Sequence, residues 1–376
     1  MVIPRVYEKL DSFLRPNKVL TLFGPRQVGK TTLLKNYLKT TNMSYRFETG
    51  ENVIVKEILD SCNLKNIKEF CDGYDLIVID EAHKIPNIGL GLKLIVDYVP
   101  NIKVLVTGSS SFELLNKVGE PLTGRKIVLH LFPAAQMEMR MLFNSFDLKQ
   151  LKEDFLIYGS YPEVVSLDSR NDKIIRLKEI AESYLLRDIL QLDKVRNSKI
   201  LLDLLRLLAY QIGKEVSINE IATQLGYDRK TINRYLDLLE KSFVIFNVRG
   251  YSRNLRKEIA KKSKYYFYDI GIRNALVSNF NKLNIRDDVG LLWENFIFME
   301  RLKYRSYKSI GANMYFWRTF DGKEIDLVEE RDGHLFGYEI KYKDDRIKAP
   351  SDWTETYSNS SYEVINSENY LGFIGI

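Results

Sequence analysis

The chain reads as an α/β protein whose first part is a parallel sheet with helices on both faces, and two observations predict it. Short apolar runs alternate with helical stretches at Lys18–Phe23, Tyr45–Glu48, Asp75–Asp80, Lys103–Thr107 and Ile127–Leu131, the order that parallel crossovers require. Between the first run and the first helix lies Gly24-Pro25-Arg26-Gln27-Val28-Gly29-Lys30-Thr31, which fits the pattern G-x-x-x-x-G-K-[ST] at every fixed position.

Each element around that loop has its own justification. Lys18-Val-Leu-Thr-Leu-Phe23 is a short buried strand, and Thr31-Thr32-Leu-Leu-Lys-Asn-Tyr-Leu38 opens an amphipathic helix. Strand, glycine loop and helix together make a concave anion site from backbone N–H groups and the positive end of the helix. Lys30 is expected to reach the β- and γ-phosphate oxygens of a nucleotide, and the Thr31 hydroxyl to sit on Mg²⁺. Residues 24 to 32 therefore form the expected cofactor-binding set. Asp75-Leu-Ile-Val-Ile-Asp80-Glu81 is an apolar strand ending in two acids. Asp80 is expected in the Mg²⁺ shell and Glu81 to orient the attacking water.

Glu81-Ala82-His83 extends these acids into Asp-Glu-Ala-His, but no other helicase motif is visible and the domain is too short for two such folds. The next strand ends in Thr107-Gly-Ser109-Ser110. Ser109 is the expected γ-phosphate or water contact, with Thr107 and Ser110 close behind. In Leu122-Thr-Gly-Arg125, Arg125 reads either as an arginine finger acting on its own or a neighbouring subunit's nucleotide, or as an arginine that fixes the turn.

From residue 141 to 208 the pattern is that of a helical lid or connector, with a break at Gly159-Ser-Tyr-Pro162. Residues 209 to 270 carry a helix-turn-helix pattern, Ser217 to Leu236, with Ala222 at the helix crossing, Gly226 in the turn, Ile232 packing back and Asp228 capping the second helix. Arg229, Lys230, Asn233 and Arg234 face outward, suited to phosphates and base edges of double-stranded DNA. Phe243–Val248 and Lys264–Tyr268 read as two strands of a wing, and the stretch between them holds Arg249, Arg253, Arg256, Lys257, Lys261 and Lys262 against Glu258 alone. Basic side chains that are merely solvated, on a module used for protein contacts, are the competing reading.

In the last part, from residue 271, Asp332-Gly333 is a two-residue hairpin signal. Pairing outward places Arg331 opposite His334 and Asp326 opposite Glu339, with Lys341 on the same face and Ile325, Leu327 and Ile340 on the other. Two opposed carboxylates repel unless a positive group lies between them. A divalent metal is one such group, and Lys341 is another.

The four segments Gly-Pro-Arg-Gln-Val-Gly-Lys-Thr-Thr, Ile-Asp-Glu-Ala-His, Thr-Gly-Ser-Ser-Ser and Leu-Thr-Gly-Arg resemble, in this order, prokaryotic AAA-type ATPases that carry a C-terminal domain of unknown function. The resemblance implies ATP or ADP with Mg²⁺ as cofactors and an ATPase activity. Asp326 and Glu339-Ile-Lys341 resemble the PD-(D/E)xK element of restriction-endonuclease-like domains. That resemblance implies a second metal site at Asp326 and Glu339, with Glu294 as a further ligand and Lys341 activating water, although no proline precedes Asp326. Residues 1–140, 141–208, 209–270 and 271–376 are thus expected as ATPase domain, connector, winged helix and nuclease-like domain. The expected role couples nucleotide state to DNA binding or processing; the alternative is a nucleotide-dependent switch for a protein partner or a second copy.

Composition is consistent with this. With 376 residues, 45% hydrophobic and 28% charged, the chain can bury more than one core. A net charge of +6 permits a polyanion partner without requiring one. Cys62, Cys71, His83, His130 and His334 are scattered without zinc or disulfide spacing. Met1-Val-Ile-Pro-Arg-Val-Tyr lacks a signal-peptide apolar core and no run approaches a membrane span, so a cytoplasmic protein without membrane contact is expected.

Overall fold

The structure, a computed structural model, describes residues 2–108, 122–185, 198–252, 263–343 and 347–376. It divides into two compact units, one of Pro4–Phe132 with Lys241–Phe243, the other of Met1–Ile3, Pro133–Glu240 and Val244–Ile376. Each is described separately.

The first unit is built on five parallel strands, β1 (Val19–Phe23), β2 (Tyr45–Thr49), β3 (Leu76–Asp80), β4 (Lys103–Gly108) and β5 (Lys126–His130), in the order β2-β3-β4-β1-β5. Every residue of β1 and β3 is buried, as continuous aliphatic runs must be when helices cover both faces. The helices α1 (Lys30–Leu38), α2 (Val53–Asp60), α3 (Leu64–Cys71) and α4 (Ile88–Tyr98) follow. Asn52 and Asn63 start α2 and α3 by accepting N–H bonds from Ile54 and Lys65, each 3.0 Å. Register then does the positioning. Phe23 lies opposite Gly108 and His130, and Ile79 opposite Val106, so the carboxyl ends of β1, β4 and β3 are level. An open parallel sheet binds its ligand at that edge.

In the second unit, helix α5 (Lys152–Tyr158) stops at Gly159 and the next helical turn begins with Pro162 at its first position, the break expected from the proline. After α6 (Ser198–Tyr210) come α7 (Ile218–Leu225) and α8 (Arg229–Lys241), then α9 (Ile270–Leu276) and the long α10 (Val289–Tyr307). The strands β6 (Glu215–Val216), β7 (Ile245–Gly250), β8 (Ser263–Phe267), β9 (Asn313–Arg318), β10 (Glu324–Arg331), β11 (His334–Ile340) and β12 (Ser360–Ile365) form one mixed sheet, ordered β12-β11-β10-β9-β7-β8-β6. The boundary expected at residue 270 falls inside this sheet, because β7 pairs in parallel with β9 through Arg249↔Tyr315 and Gly250↔Phe316. That pairing satisfies a hairpin edge which would otherwise expose a row of backbone groups.

The β10–β11 turn has both central residues at positive φ, Asp332 at 50° and Gly333 at 74°, the requirement of a tight I′ hairpin. Arg331 pairs with His334 and Leu327 with Tyr338. A core of Trp317, Ile325, Val328, Trp353 and Tyr357 packs against β9 and β10 in the middle of the sheet. Helix α10 is buried on nearly all sides, charged residues included, and those charges are paired. Arg301 Nε and Nη2 donate to the two carboxylate oxygens of Glu329 at 2.8 and 2.9 Å. Among the described residues no helix is long and apolar enough to cross a membrane, and Cys62 and Cys71 are both free.

Candidate functional site

The phosphate loop runs from β1 into α1. Gly24 is required by packing, since a Cβ there would lie 2.0 Å from the Leu131 carbonyl oxygen. Gly29 is required by conformation, with φ +94° at the N-cap of α1. Lys30, 5% exposed, donates to the carbonyls of Gly24 and Pro25 at 2.9 and 2.8 Å, so its ammonium lies inside the arc of the loop. Pro25 and Val28 are buried, Arg26 and Gln27 half-buried, and Thr32 is exposed on the first turn of α1. The Gln27 Oε1 is buried with no hydrogen-bond partner.

Thr31 Oγ1 donates to Asp80 Oδ2 at 2.6 Å. The other oxygen, Asp80 Oδ1, accepts from the Thr107 hydroxyl, which in turn accepts the Glu81 N–H at 3.0 Å. One hydroxyl on β4, the strand between β1 and β3, thus fixes both acids. Glu81 is held at φ +52°, a left-handed conformation that costs a non-glycine residue ~1 kcal/mol or more. Its Oε2 accepts no hydrogen bond and lies 3.5 Å from His83 Nδ1. The donor set fits Mg²⁺ with a nucleotide: a hydroxyl and a carboxylate already in contact, an ammonium, and a backbone cradle.

Two expected members remain to be placed. Ser109 lies outside the described residues. Arg125 precedes β5, at the amino end of the sheet, where its carbonyl accepts the Val19 N–H and its Nε donates to Asp97 at 2.6 Å. β1 and β5 run parallel from Val19↔Lys126 to Phe23↔His130, about 13 Å of strand at roughly 3.3 Å per residue. Arg125 thus lies at the opposite end of β1 from the phosphate loop and holds its turn through Asp97.

A second polar site opens in the other unit as a cavity of about 530 Å³ lined by Gly213, Lys214, Glu215, Lys264, Leu291, Glu294, Arg318, Glu324, Asp326, Glu339 and Lys341. Lys341 Nζ lies 2.6 Å from Glu339 Oε1 and 3.4 Å from Asp326 Oδ2, and Asp326 also accepts the Ile340 N–H at 2.8 Å. Glu294 is drawn elsewhere. Its Oε1 accepts from Tyr266 Oη at 2.6 Å and lies 3.5 Å from Lys264 Nζ, which also contacts Glu324. Burial, and then Asp326, push the Glu294 carboxyl up to about 7. The same causes raise Glu339, whose Oε2 is buried without a partner.

Among the described residues no three of His, Cys, Asp or Glu converge closely enough to hold a metal. Glu294, Asp326 and Glu339 all line this cavity, with Lys264 beside Glu294 and Lys341 beside Asp326 and Glu339. Lys264 and Glu324 were not anticipated from sequence; their contact spans β8 and β10, which no local pattern links.

The segment read as a helix-turn-helix spans α7 and α8. Ala222 and Ile232 are buried, Gly226 ends α7, and Asp228 Oδ1 accepts the Thr231 N–H at 2.9 Å. Arg229, Lys230, Asn233 and Arg234 are all exposed on α8. The basic run 253–262 lies outside the described residues.

Phosphate loop, strand-end acids and a parallel five-stranded sheet give the first unit the features of a P-loop α/β domain. Comparison with known proteins agrees: residues 16–140 match the family model described as "AAA domain". Residues 149–284 and 289–369 match "Domain of unknown function (DUF8612)" and "Domain of unknown function (DUF4143)". An uncharacterized protein of Mycobacterium tuberculosis is 28% identical over 91% of this chain and 74% of its own. One of Haemophilus influenzae is 25% identical over 89% and 85%, and one of Methanocaldococcus jannaschii 24% over 95% and 86%. A solved chain titled "Structural Basis for Katanin Self-Assembly" aligns with a TM-score of 0.25 at 17% identity over 49% of this chain and 66% of that one, too slight a likeness to bear on fold or function.

Proposed function

We propose that the first unit binds ATP with Mg²⁺ and hydrolyses it. The observation that carries this is the bonded sequence Thr31–Asp80–Thr107–Glu81 at the mouth of the phosphate loop. Thr31 and Asp80 are the residues that would hold Mg²⁺, which would supply positive charge to offset that of the phosphates. Lys30 leaves the Gly24 and Pro25 carbonyls for the β- and γ-phosphates. Glu81, its backbone fixed by Thr107 and its Oε2 beside His83 Nδ1, orients a water for in-line attack.

Steady-state phosphate release from Mg-ATP tests the proposal. Lys30→Ala is expected to lose binding or turnover, and Glu81→Gln to keep binding while losing ~10²–10⁴-fold in rate. Both variants hydrolysing at the native rate would remove the assignment.

The reading extends to DNA. Four polar and basic residues exposed on one helix, Arg229, Lys230, Asn233 and Arg234, and the antiparallel β7–β8 ribbon that follows support a winged helix whose second helix enters a major groove. Nucleotide state in the first unit would gate that contact. Adding duplex DNA to the same assay checks it: stimulation favours the coupling, and an unchanged rate favours a protein partner. No metal-dependent cleavage is assigned to the Asp326–Glu339–Lys341 cavity.

A further inference from the structure

We infer that Arg5 is a positioning residue of the phosphate loop, one that ties the loop to the segment through which the chain leaves the nucleotide-binding unit. No motif marks it: it lies 19 residues before Gly24 in sequence. In the fold its guanidinium is buried, 7% exposed, and grips two backbone carbonyls at once. Nη1 donates to Val28 O inside the loop, and Nη2 donates to Phe132 O at 2.6 Å, just past the end of β5.

Three features make this more than a packing contact. Val28 immediately precedes Gly29, whose left-handed conformation sets the first N–H groups of α1, and a Cβ at Gly29 would lie 3.8 Å from Arg5 Nη1. The arginine therefore holds the loop at the point where its amides turn toward a phosphate. The other end of the loop meets the same segment, since Gly24 packs on the Leu131 carbonyl while the Leu131 N–H donates to Phe23 O at 2.7 Å. Finally, the chain passes from this unit to the other between Phe132 and Pro133. A planar guanidinium fixes its two acceptors at one separation, which a flexible single ammonium cannot do. Movement of Val28 on phosphate binding is thus transmitted to Phe132. The same cation, buried behind the loop, also favours an anion in front of it.

The inference rests on the nucleotide reading of the loop, and the test separates the two. Hydrogen exchange of the full chain is followed in peptides covering the loop and residues 128–136, with and without a non-hydrolysable Mg-ATP analogue whose binding is scored independently. Failure of the analogue to protect the loop in the native chain sinks the nucleotide reading itself. With the analogue at about 100 times its Kd, both regions of the native chain are expected to slow, by up to about a hundredfold where exchange goes through local opening. Arg5→Lys keeps the charge and loses the fork. It is expected to bind the analogue and protect the loop but to leave exchange at 128–136 unchanged by nucleotide. Arg5→Gln, which drops the charge as well, is expected to do the same with weaker binding. Transmission to 128–136 in Arg5→Lys equal to that in the native chain overturns the inference. So does a folded Arg5→Lys chain that no longer binds the analogue, for that makes Arg5 part of the phosphate site rather than a tie.

Discussion

Thr107→Val isolates the hydroxyl that fixes both acids of the proposed ATPase site. Thr107 is fully buried on β4, and valine keeps its β-branched shape, so the substitution exchanges one hydroxyl for a methyl with little change in packing. Two bonds disappear, the donation to Asp80 Oδ1 and the acceptance of the Glu81 N–H at 3.0 Å. A hydrogen bond to a charged group is worth ~1.5–3 kcal/mol net, and an orphaned buried N–H costs a comparable amount. If the first of these appears in the barrier, kcat falls by about 10- to 150-fold at 1.36 kcal/mol per decade. The KM for Mg-ATP moves little, because Lys30 and the loop backbone are untouched. Phosphate release measured across a Mg²⁺ titration is the assay, with Thr107→Ser as the control that restores the hydroxyl. Native turnover in Thr107→Val would refute the reasoning. Equal damage in Thr107→Ser, which keeps the hydroxyl, and in Thr107→Val would do so too, by separating the effect from the hydroxyl.

Three further outcomes are expected. Glu329→Gln breaks the buried fork with Arg301 and should cost about 3–5 kcal/mol in the denaturant unfolding of the second unit; a loss under about 1 kcal/mol would mean that the pair is not desolvated as the structure has it. Burial raises Glu294 from an ordinary 4.5 to about 7, so the folded chain binds that proton more tightly than the unfolded one. Its contribution is therefore full below pH 4.5 and is lost as pH rises through 7. In chelator, thermal stability should decline more steeply over that window in the native chain than in Glu294→Gln, and parallel curves would argue against it. Arg229→Ala with Arg234→Ala should weaken duplex DNA binding and lower the slope of log affinity against log salt by about 2; an unchanged, salt-sensitive affinity would move the contact off α8.

What the sequence made legible depended on how far apart the interacting residues lie along the chain. The β10–β11 register followed from counting out from Asp332-Gly333, because a hairpin brings its own partners together and alternation does the rest. Lys30, Thr31, Asp80 and Glu81 were legible because each ends a strand or starts a helix within one recurring pattern. Thr107 was placed near the phosphates, but its bond to both acids depends on β4 lying between β1 and β3, a strand order that no local pattern encodes. Lys264 with Glu294 and Glu324, and Arg5 with Val28 and Phe132, are non-local in the same sense.

Arg125 shows what strand direction alone makes legible. In a parallel sheet the segments that follow strands lie at the ligand edge and those that precede strands lie at the other. Leu122–Arg125 comes immediately before Lys126, the first residue of β5, and so enters the sheet from the far end. The direction of the chain thus places Arg125 at the amino end of the sheet, and the same argument accounts for Arg5. It lies on no strand end at all, and reaches the ligand edge only by gripping a loop that follows β1 and a segment that follows β5.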